Sequence, residues 1–545
     1  MIVRGLMAAL LGAAVVLPIG PVSAETDGAA EIQLAANFPI YDRVVDPTTA
    51  AIRAMLATAG QEGEYLDKRD AAGVAEYYAM QGYAPTWTVN GRLTERAKKL
   101  IARVHRAEED GLVDVYRTPV IGMGEGVPVS IAMAARADVL LSQALVTYAR
   151  HARIGRIDPA DISPNFEYDR EAPDPVEVLT ELARTTDDPA EVLAAYNPDN
   201  PEFIALRDKL AELRSTEVER PPLVPEGRML RLGMRDARVA ILRERLEVMG
   251  PAADPTAFDE TVDVAVRAFQ EQAGLKADGI VGPGTLGKLN AGAADHEAII
   301  LANMERWRWM PRDLGRQYVR VNVPRFNLEI YRDDRMVYTT RIVVGDTGHQ
   351  TPMFSHLIDH VIVNPTWNVP ASIAVKEMLP KIQANPGALN GYQVFANIDG
   401  RFRAVDPYMV DWFNVDMRRI QIKQPPGERN ALGSIKFMFP NPFAVYLHDT
   451  PSKSFFERDY RALSHGCMRV MNPWEFAEAL LDHDPEVSAD RLRGLVGGRE
   501  TRVDLTEAIP VHITYFTAWV DANGELVLHD DVYGHDARVE KAFGV

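Results

Sequence analysis

At roughly 100 to 200 residues per domain, the 545 residues of this chain predict three or four structural units rather than one. Apolar residues make up 47% and charged residues 25%, which excludes disorder throughout, collagen-like repeats and a polytopic membrane protein. The net charge of −18 opposes a phosphate backbone and no basic patch offsets it, so nucleic acid is not expected as a partner.

Residues 1–24 read as an export signal. Arg4 supplies the positive start, the run from Leu6 to Leu17 the apolar stretch, and Val22-Ser23-Ala24 a small-residue cleavage site before Glu25. That run is well short of the roughly 20 residues that span a bilayer, and Pro18 and Gly20 break it. No later stretch is long and apolar enough to span, so no transmembrane segment is expected in the mature chain. Cys467 is the only cysteine, which excludes an intramolecular disulfide and leaves two readings, an inert buried thiol or a nucleophile.

The segment 25–222 is predicted to be a scaffold that, from Thr48 on, is almost wholly helical. Within it Leu140, Leu141, Ala144, Leu145 and Tyr148 recur at helical spacing. Tyr77, Tyr78, Tyr83 and Trp87 form an aromatic cluster read as helix packing and a loop anchor. Proline-rich sequence near 220 marks a boundary. A compact three-helix unit is expected over 223–292: Val239, Leu242, Leu246 and Met249 share one face, Asp259 caps a helix carrying Val262, Val266 and Phe269, and Thr285 caps a third. Residues 293–315 form a linker helix returning to the scaffold.

From 316 the period changes. Val319, Val321 and Val323, then Phe326, Leu328 and Ile330, alternate with polar residues and predict two half-buried strands, followed by another over 337–344. A β-rich domain of antiparallel character is expected over 316–520, with a C-terminal segment 521–545. An excursion over 371–440 interrupts it: a helix after Ser372 with Val375, Met378, Leu379 and Ile382 on one face, then loop-rich chain from 385 to 432. Strands resume at "IKFMF" and "FAVYLHD". The fold class is multidomain α+β.

The segment "SHGCMRV" carries the chemistry. A thiol is inert until ionised, so a nucleophilic Cys467 needs a histidine within reach. His465, two residues away, projects on the same face if the segment is extended, and His448 ends the strand "AVYLHD". Gly466 lets the backbone turn so that adjacent N–H groups could serve an oxyanion. A zinc site made of His448, His465 and Cys467 is the competing reading, weakened by the lack of a further ligand pair.

With His448 upstream of "SHGCMRV", the sequence resembles the L,D-transpeptidase family with the YkuD-type catalytic domain. Residues 228–290, with Phe269-Gln270 and "DGIVGPGTL", resemble a three-helix peptidoglycan-binding module. The order of helical scaffold, inserted module and capped catalytic sheet (cap 371–440) is similar to the long members of that family. The resemblance implies attack by Cys467 on the third residue of a donor tetrapeptide stem, departure of D-alanine, and capture by an acceptor stem to give a 3→3 cross-link. It implies acylation of Cys467 by carbapenems and neither metal nor organic cofactor, and the export signal, cleaved after Ala24, places the expected mature chain in the periplasm.

Carried over residue by residue, Cys467 is the nucleophile and His448 the base that forms the thiolate pair. Ser464 and His465 shape the pocket, and Gly466 with Cys467 offers N–H groups to the oxyanion. Arg469, where many members have asparagine, could grip a substrate carboxylate. Tyr446, Trp367 and Asn364 are secondary substrate-lining candidates, with sheet packing or a loop anchor as the alternatives. Asp449 is expected at the surface and Trp474 in the core. Hydrolysis of the same thioester would make the protein an L,D-carboxypeptidase, and a dead site would make it a wall-binding scaffold.

Overall fold

The computed structural model describes residues 46–543, apart from 59–66, 113–115, 216–223, 226, 249–253, 274, 283, 287–288 and 290–295. The export signal lies outside the described residues, as do Met249 and most of the boundary near 220.

The N-terminal part is built of helices whose starts are written in the sequence. Asp67, Thr94, Ser130, Asp174 and Asp188 each accept a backbone N–H in the first turn of the helices Lys68–Met80, Glu95–Val104, Ile131–Ile154, Pro175–Arg184 and Pro189–Ala194. The Ile131–Ile154 helix runs through the middle of this core and buries Leu141, Leu145 and Tyr148, while Leu140 is half-buried. Tyr77, Tyr78 and Trp87 are buried beside it. Asp138 and Ser142 accept from Tyr78 Oη, Trp87 Nε1 and Thr88 Oγ1, while Tyr77 Oη bonds Thr86 Oγ1, so the aromatic cluster is packing.

The region is not wholly helical. β1 (Thr88–Val89) and β2 (Arg92–Leu93) form a hairpin across Asn90-Gly91, whose φ values of 51° and 71° are those that an Asn-Gly turn adopts. A third short strand, β3 (Phe166–Glu167), leaves the helical part and pairs parallel to a strand of the β-rich part.

A separate small core, with Val239, Leu242, Phe258, Val262 and Val266 buried, belongs to the compact unit that follows. Its helix Glu260–Gln272 is capped by Asp259, and Gln270 is buried with its amide shared among Asp278, Ile280 and Thr285. The helix His296–Trp309 then returns the chain to the main core and is buried on every side from Ile300 to Trp309. Its charged residues are therefore committed: Glu305 accepts from the N–H groups of Arg156 and Ile157, Arg308 donates to Asp110 and Asn197, and Arg306 pairs with Asp536.

The β-rich part contains β4 (Gln317–Asn322), β5 (Asn327–Arg332), β6 (Arg335–Gly345), β7 (Met353–Val363) and the short β8 (Trp367–Asn368). After the excursion, in which β9 (Gln393–Ile398), β10 (Arg401–Val405) and β11 (Ile420–Gln424) lie, come β12 (Ile435–Met438), β13 (Leu447–His448), β14 (Ala462–Ser464), β15 (Met468–Val470) and β16 (Thr501–Thr514). The main sheet runs β12-β13-β15-β6-β5-β4-β16-β7, and β7 pairs again with β12, so eight strands close on themselves and leave no free edge. β3 joins beside β7 and β14 beside β6. Most pairs are antiparallel, but β13–β15, β4–β16, β6–β14 and β3–β7 are parallel. A hairpin of β17 (Ala518–Val520) and β18 (Leu526–Leu528) and the helix Asp536–Phe543 end the chain.

Two expectations are corrected. Neither β4 nor β5 is half-buried: Arg320 and Asn322 on β4 and Asn327 and Glu329 on β5 are buried too, because the face opposite their apolar residues is also covered, and Arg320 is balanced there by Glu202 and Glu329. The 385–432 stretch is not loop-rich chain, since β9, β10 and β11 join β8 in a second, four-stranded sheet of order β10-β9-β11-β8. That sheet has its own core of Ile382, Leu389, Val394, Trp412 and Ile422, and the residues leading into it pass through a π-helical turn, Ala374–Met378.

Candidate active site

Successive side chains on a strand face opposite ways, so one face of β12, β13 and β15 carries Phe437, Leu447, Met468 and Val470, all fully buried in the barrel core. The other face therefore carries Lys436, Tyr446, His448 and Arg469. The register places Lys436 opposite His448 and His448 opposite Arg469. Met468 N–H donates to the carbonyl of Tyr446 at 3.1 Å, which sets Cys467 alongside Tyr446 at the mouth of the parallel β13–β15 pair. Two segments 19 positions apart in sequence are thus brought side by side, with His448 and Cys467 on neighbouring strands.

His448 is buried, and its Nδ1 lies 2.5 Å from the carbonyl of Asp449. A carbonyl only accepts, so Nδ1 carries the proton and the neutral ring keeps its lone pair on Nε2. Burial first, then the Arg469 charge, pushes the His448 pKa down to about 3. Burial raises the Cys467 thiol above its ordinary value, opposed by Tyr446, through its backbone and its hydroxyl, and by the charges of Arg469 and Lys436. Both directions favour the neutral forms of the thiol and the imidazole. Lys436, not anticipated from the sequence, is buried with its ammonium 5.0 Å from the centre of the Tyr446 ring, and burial lowers its pKa. Its only sequence signal is a charge alternating with Ile435 and Phe437 on a buried strand.

The loop before the cysteine departs from the expected geometry. Gly466 has φ +103°, so strand alternation does not carry across it, and His465 does not share a face with Cys467 as an extended segment would require. His465 instead stacks on His349, with ring centres 4.3 Å apart, and its Nε2 meets Glu377 of the π-helical turn at 2.6 Å. Ser464 is buried and works inside the loop rather than lining a pocket: it donates to the Cys467 carbonyl at 2.5 Å and accepts the Gly466 N–H at 3.2 Å. That second bond corrects the Gly466 assignment, because its N–H is already taken. The Cys467 N–H has no hydrogen-bond partner among the described residues.

Arg469 is half-buried with its guanidinium 5.4 Å from the Phe455 ring centre, and Tyr446 packs edge-on to His448 at 5.7 Å. Asn364 is a loop anchor and not a channel wall. It is buried at φ +53°, donates to the carbonyls of Leu495 and Arg499 and accepts from Gly497 N–H. Trp367 lies half-buried in the second sheet, 6.5 Å from the Tyr392 ring. Asp449 is not a free surface group, since its carboxylate accepts from Ser434 N–H and Oγ, Thr450 N–H and Lys453. Trp474 is half-buried and donates to the same Ser434 Oγ. Among the described residues no group of three or more His, Cys, Asp or Glu side chains is arranged to hold a metal ion.

A lone thiol, a histidine with a free Nε2 and two nearby cations form a layout suited to acyl transfer. Residues 316–492 match the L,D-transpeptidase catalytic domain. A scaffold domain matches residues 72–210 and a provisionally named peptidoglycan binding domain residues 235–289, so the order that the resemblance implied is present. A Haemophilus influenzae protein provisionally named an L,D-transpeptidase is 34% identical over 223 residues, 41% of this chain and 45% of that relative, so the aligned region spans less than half of either. Among solved structures, an L,D-transpeptidase from Xylanimonas cellulosilytica aligns with 16% identity over 53% of this chain and 98% of its own, TM-score 0.15. One from Mycobacterium smegmatis aligns with 10% identity over 36% and 58%, TM-score 0.18. The L,D-transpeptidase match ends before β16, a strand that the barrel needs for closure.

Proposed function

We propose that the protein is an exported peptidoglycan L,D-transpeptidase, working in the periplasm through a Cys467 thioester. The observation that carries the reading is the pairing of β13 with β15 inside the matched catalytic domain, which sets His448, with Nε2 free, beside the only cysteine of the chain. Cys467 attacks the carbonyl of the third residue of a donor tetrapeptide while His448 Nε2 takes the thiol proton. The bond to D-alanine breaks, and the proton passes from Nε2 to the leaving amine. An amine of an acceptor stem then attacks the thioester, forms the 3→3 amide and returns the thiol. Arg469 and Lys436 supply positive charge that favours the developing thiolate and suits carboxylate-bearing stems.

The peptidoglycan-binding module at 235–289 supports a wall substrate, and no helix among the described residues is long and apolar enough to cross a membrane. Acylation of Cys467 by carbapenems belongs to the same proposal. The test is intact mass of the mature chain after incubation with a disaccharide-tetrapeptide, run beside Cys467→Ala, with product analysis. A Cys467-dependent acyl adduct, released D-alanine and cross-linked dimer are expected. An adduct yielding only tripeptide would make the protein an L,D-carboxypeptidase, and neither adduct nor product would leave a wall-binding scaffold.

A further inference from the structure

Gly466 and Cys467 share one peptide unit, so the Gly466 carbonyl and the Cys467 N–H lie in one plane and point in opposite directions. Whatever fixes the carbonyl therefore aims the N–H. Gly466 is the residue least able to hold this peptide by itself: at φ +103° it has no Cβ whose contacts would resist a flip. Its carbonyl accepts instead a 2.8 Å bond from Thr351 Oγ1.

Thr351 is completely buried, and its hydroxyl also accepts from the Gly345 N–H at 2.8 Å, so its single proton is directed at Gly466. The backbone of Thr351 is held in turn. Its N–H donates to Tyr533 Oη at 3.2 Å, and Tyr533 donates from that oxygen to the Gly345 carbonyl at 2.6 Å. Gly345, Thr351 and Tyr533 thus form a closed ring of hydrogen bonds whose outgoing bond from Thr351 goes to the peptide of the nucleophile. Tyr533 is 6% exposed, stacks on Tyr515, and comes from the C-terminal segment beyond the matched catalytic domain.

We propose that Thr351, and Tyr533 through it, are positioning residues that hold the Cys467 N–H as the oxyanion donor. The inference rests on the acyl-transfer reading above. With the Gly466 N–H occupied by Ser464, the Cys467 N–H, which has no hydrogen-bond partner among the described residues, is the donor on the nucleophile itself. If its peptide turned over, a carbonyl oxygen would face the oxyanion where the N–H should be, and the stabilisation would become repulsion.

Steady-state D-alanine release from a disaccharide-tetrapeptide tests this, together with thermal melting and the pH profile of Cys467 alkylation by iodoacetamide, which reads one site because the chain has one cysteine. Thr351→Val is expected to lower kcat about 100-fold with KM within about 3-fold, the scale of losing one oxyanion donor. The alkylation profile stays in place, since the thiol proton is untouched. Thr351→Ser restores the hydroxyl and brings kcat back to within about 5-fold of wild type, and Tyr533→Phe, one bond further out, costs about 10-fold. A folded Thr351→Val within about 3-fold of wild type overturns the proposal, as does failure of Thr351→Ser to restore kcat or an alkylation profile that moves in step with it. Should Thr351→Val not fold, Tyr533→Phe, which keeps the ring packing, decides: kcat within about 2-fold of wild type overturns the clamp. An active wild type with unaffected variants removes the clamp alone, whereas an inactive wild type removes the acyl-transfer reading and the clamp with it.

Discussion

Arg469 acts on both members of the reacting pair: its charge pulls the Cys467 thiol down and pushes the His448 imidazole down. Arg469→Gln should therefore raise both pKa values. Alkylation of Cys467 at pH 8 is expected to slow roughly 3- to 10-fold while the His448 ring, followed by NMR, titrates at higher pH. An unchanged alkylation rate would show that the guanidinium does not reach the sulfur electrostatically. Asn364→Ala tests the opposite kind of residue. Losing three hydrogen bonds and placing alanine at positive φ should cost about 2 to 4 kcal/mol in unfolding experiments, with KM unchanged. A raised KM without loss of stability would return Asn364 to the substrate wall. The motif made Cys467 and His448 legible in the sequence, because residue type and order are all that their identification needs. The work of Ser464, Gly466 and His465 was not legible, since one positive φ at Gly466 redirects the loop and an alternation argument cannot see it. Thr351 carries no local signal and Lys436 only its alternation with Ile435 and Phe437, as their importance comes from contacts with distant parts of the chain.

Among the elements, strands with one apolar face read well, and β4, β5 and β6 lie where alternation put them. Burial of the second face of β4 comes from chain that packs there from elsewhere, which a local pattern cannot report. The sheet of the excursion was missed for a related reason: β9, β10 and β11 are short, barely buried and mixed in character, so neither period stands out. The π-helical turn at Ala374–Met378 brings Glu377 to His465, tying the excursion to the nucleophile loop. Both partners are part-exposed, so the pair contributes little to global stability. Glu377→Ala should accordingly leave the melting temperature within about 1 °C while amide exchange over 371–384 rises about 3-fold or more. Unchanged exchange there would mean that other contacts hold the excursion down.

Across the whole molecule the modules share one core more than their sequence boundaries suggest. Phe166, Phe203 and Leu206 from the helical part are buried with the barrel interior, and the helix His296–Trp309 is buried between them. Residues 316–492 expressed alone should therefore give no cooperative unfolding transition, because β16, the neighbour of both β4 and β7, is absent. A sharp melt of that fragment would refute this. His535 marks the same convergence: it is fully buried among Phe166, Tyr515 and Tyr533, with both ring nitrogens unpartnered among the described residues and its pKa lowered to about 3. Folded His535 resists protonation below the unfolded value of about 6.5, so acidification favours the unfolded chain by up to about 1.4 kcal/mol per pH unit between those values. His535→Phe should lose that slope, gaining about 1 to 2 kcal/mol at pH 5 relative to its effect at pH 7 in urea unfolding. An equal effect at both pH values would refute the assignment.

The closing strand and the tyrosine clamp also set an order of events. A ribosome delivers Cys467 before β16 and before Tyr533, so the nucleophile exists for a time without the neighbour strand that closes its barrel or the hydroxyl ring that orients its peptide. A chain stalled anywhere short of its C-terminal segment therefore carries the reactive residue in an unassembled site. On the proposed function, competence comes only once β16 and Tyr533 have taken their places in the fold.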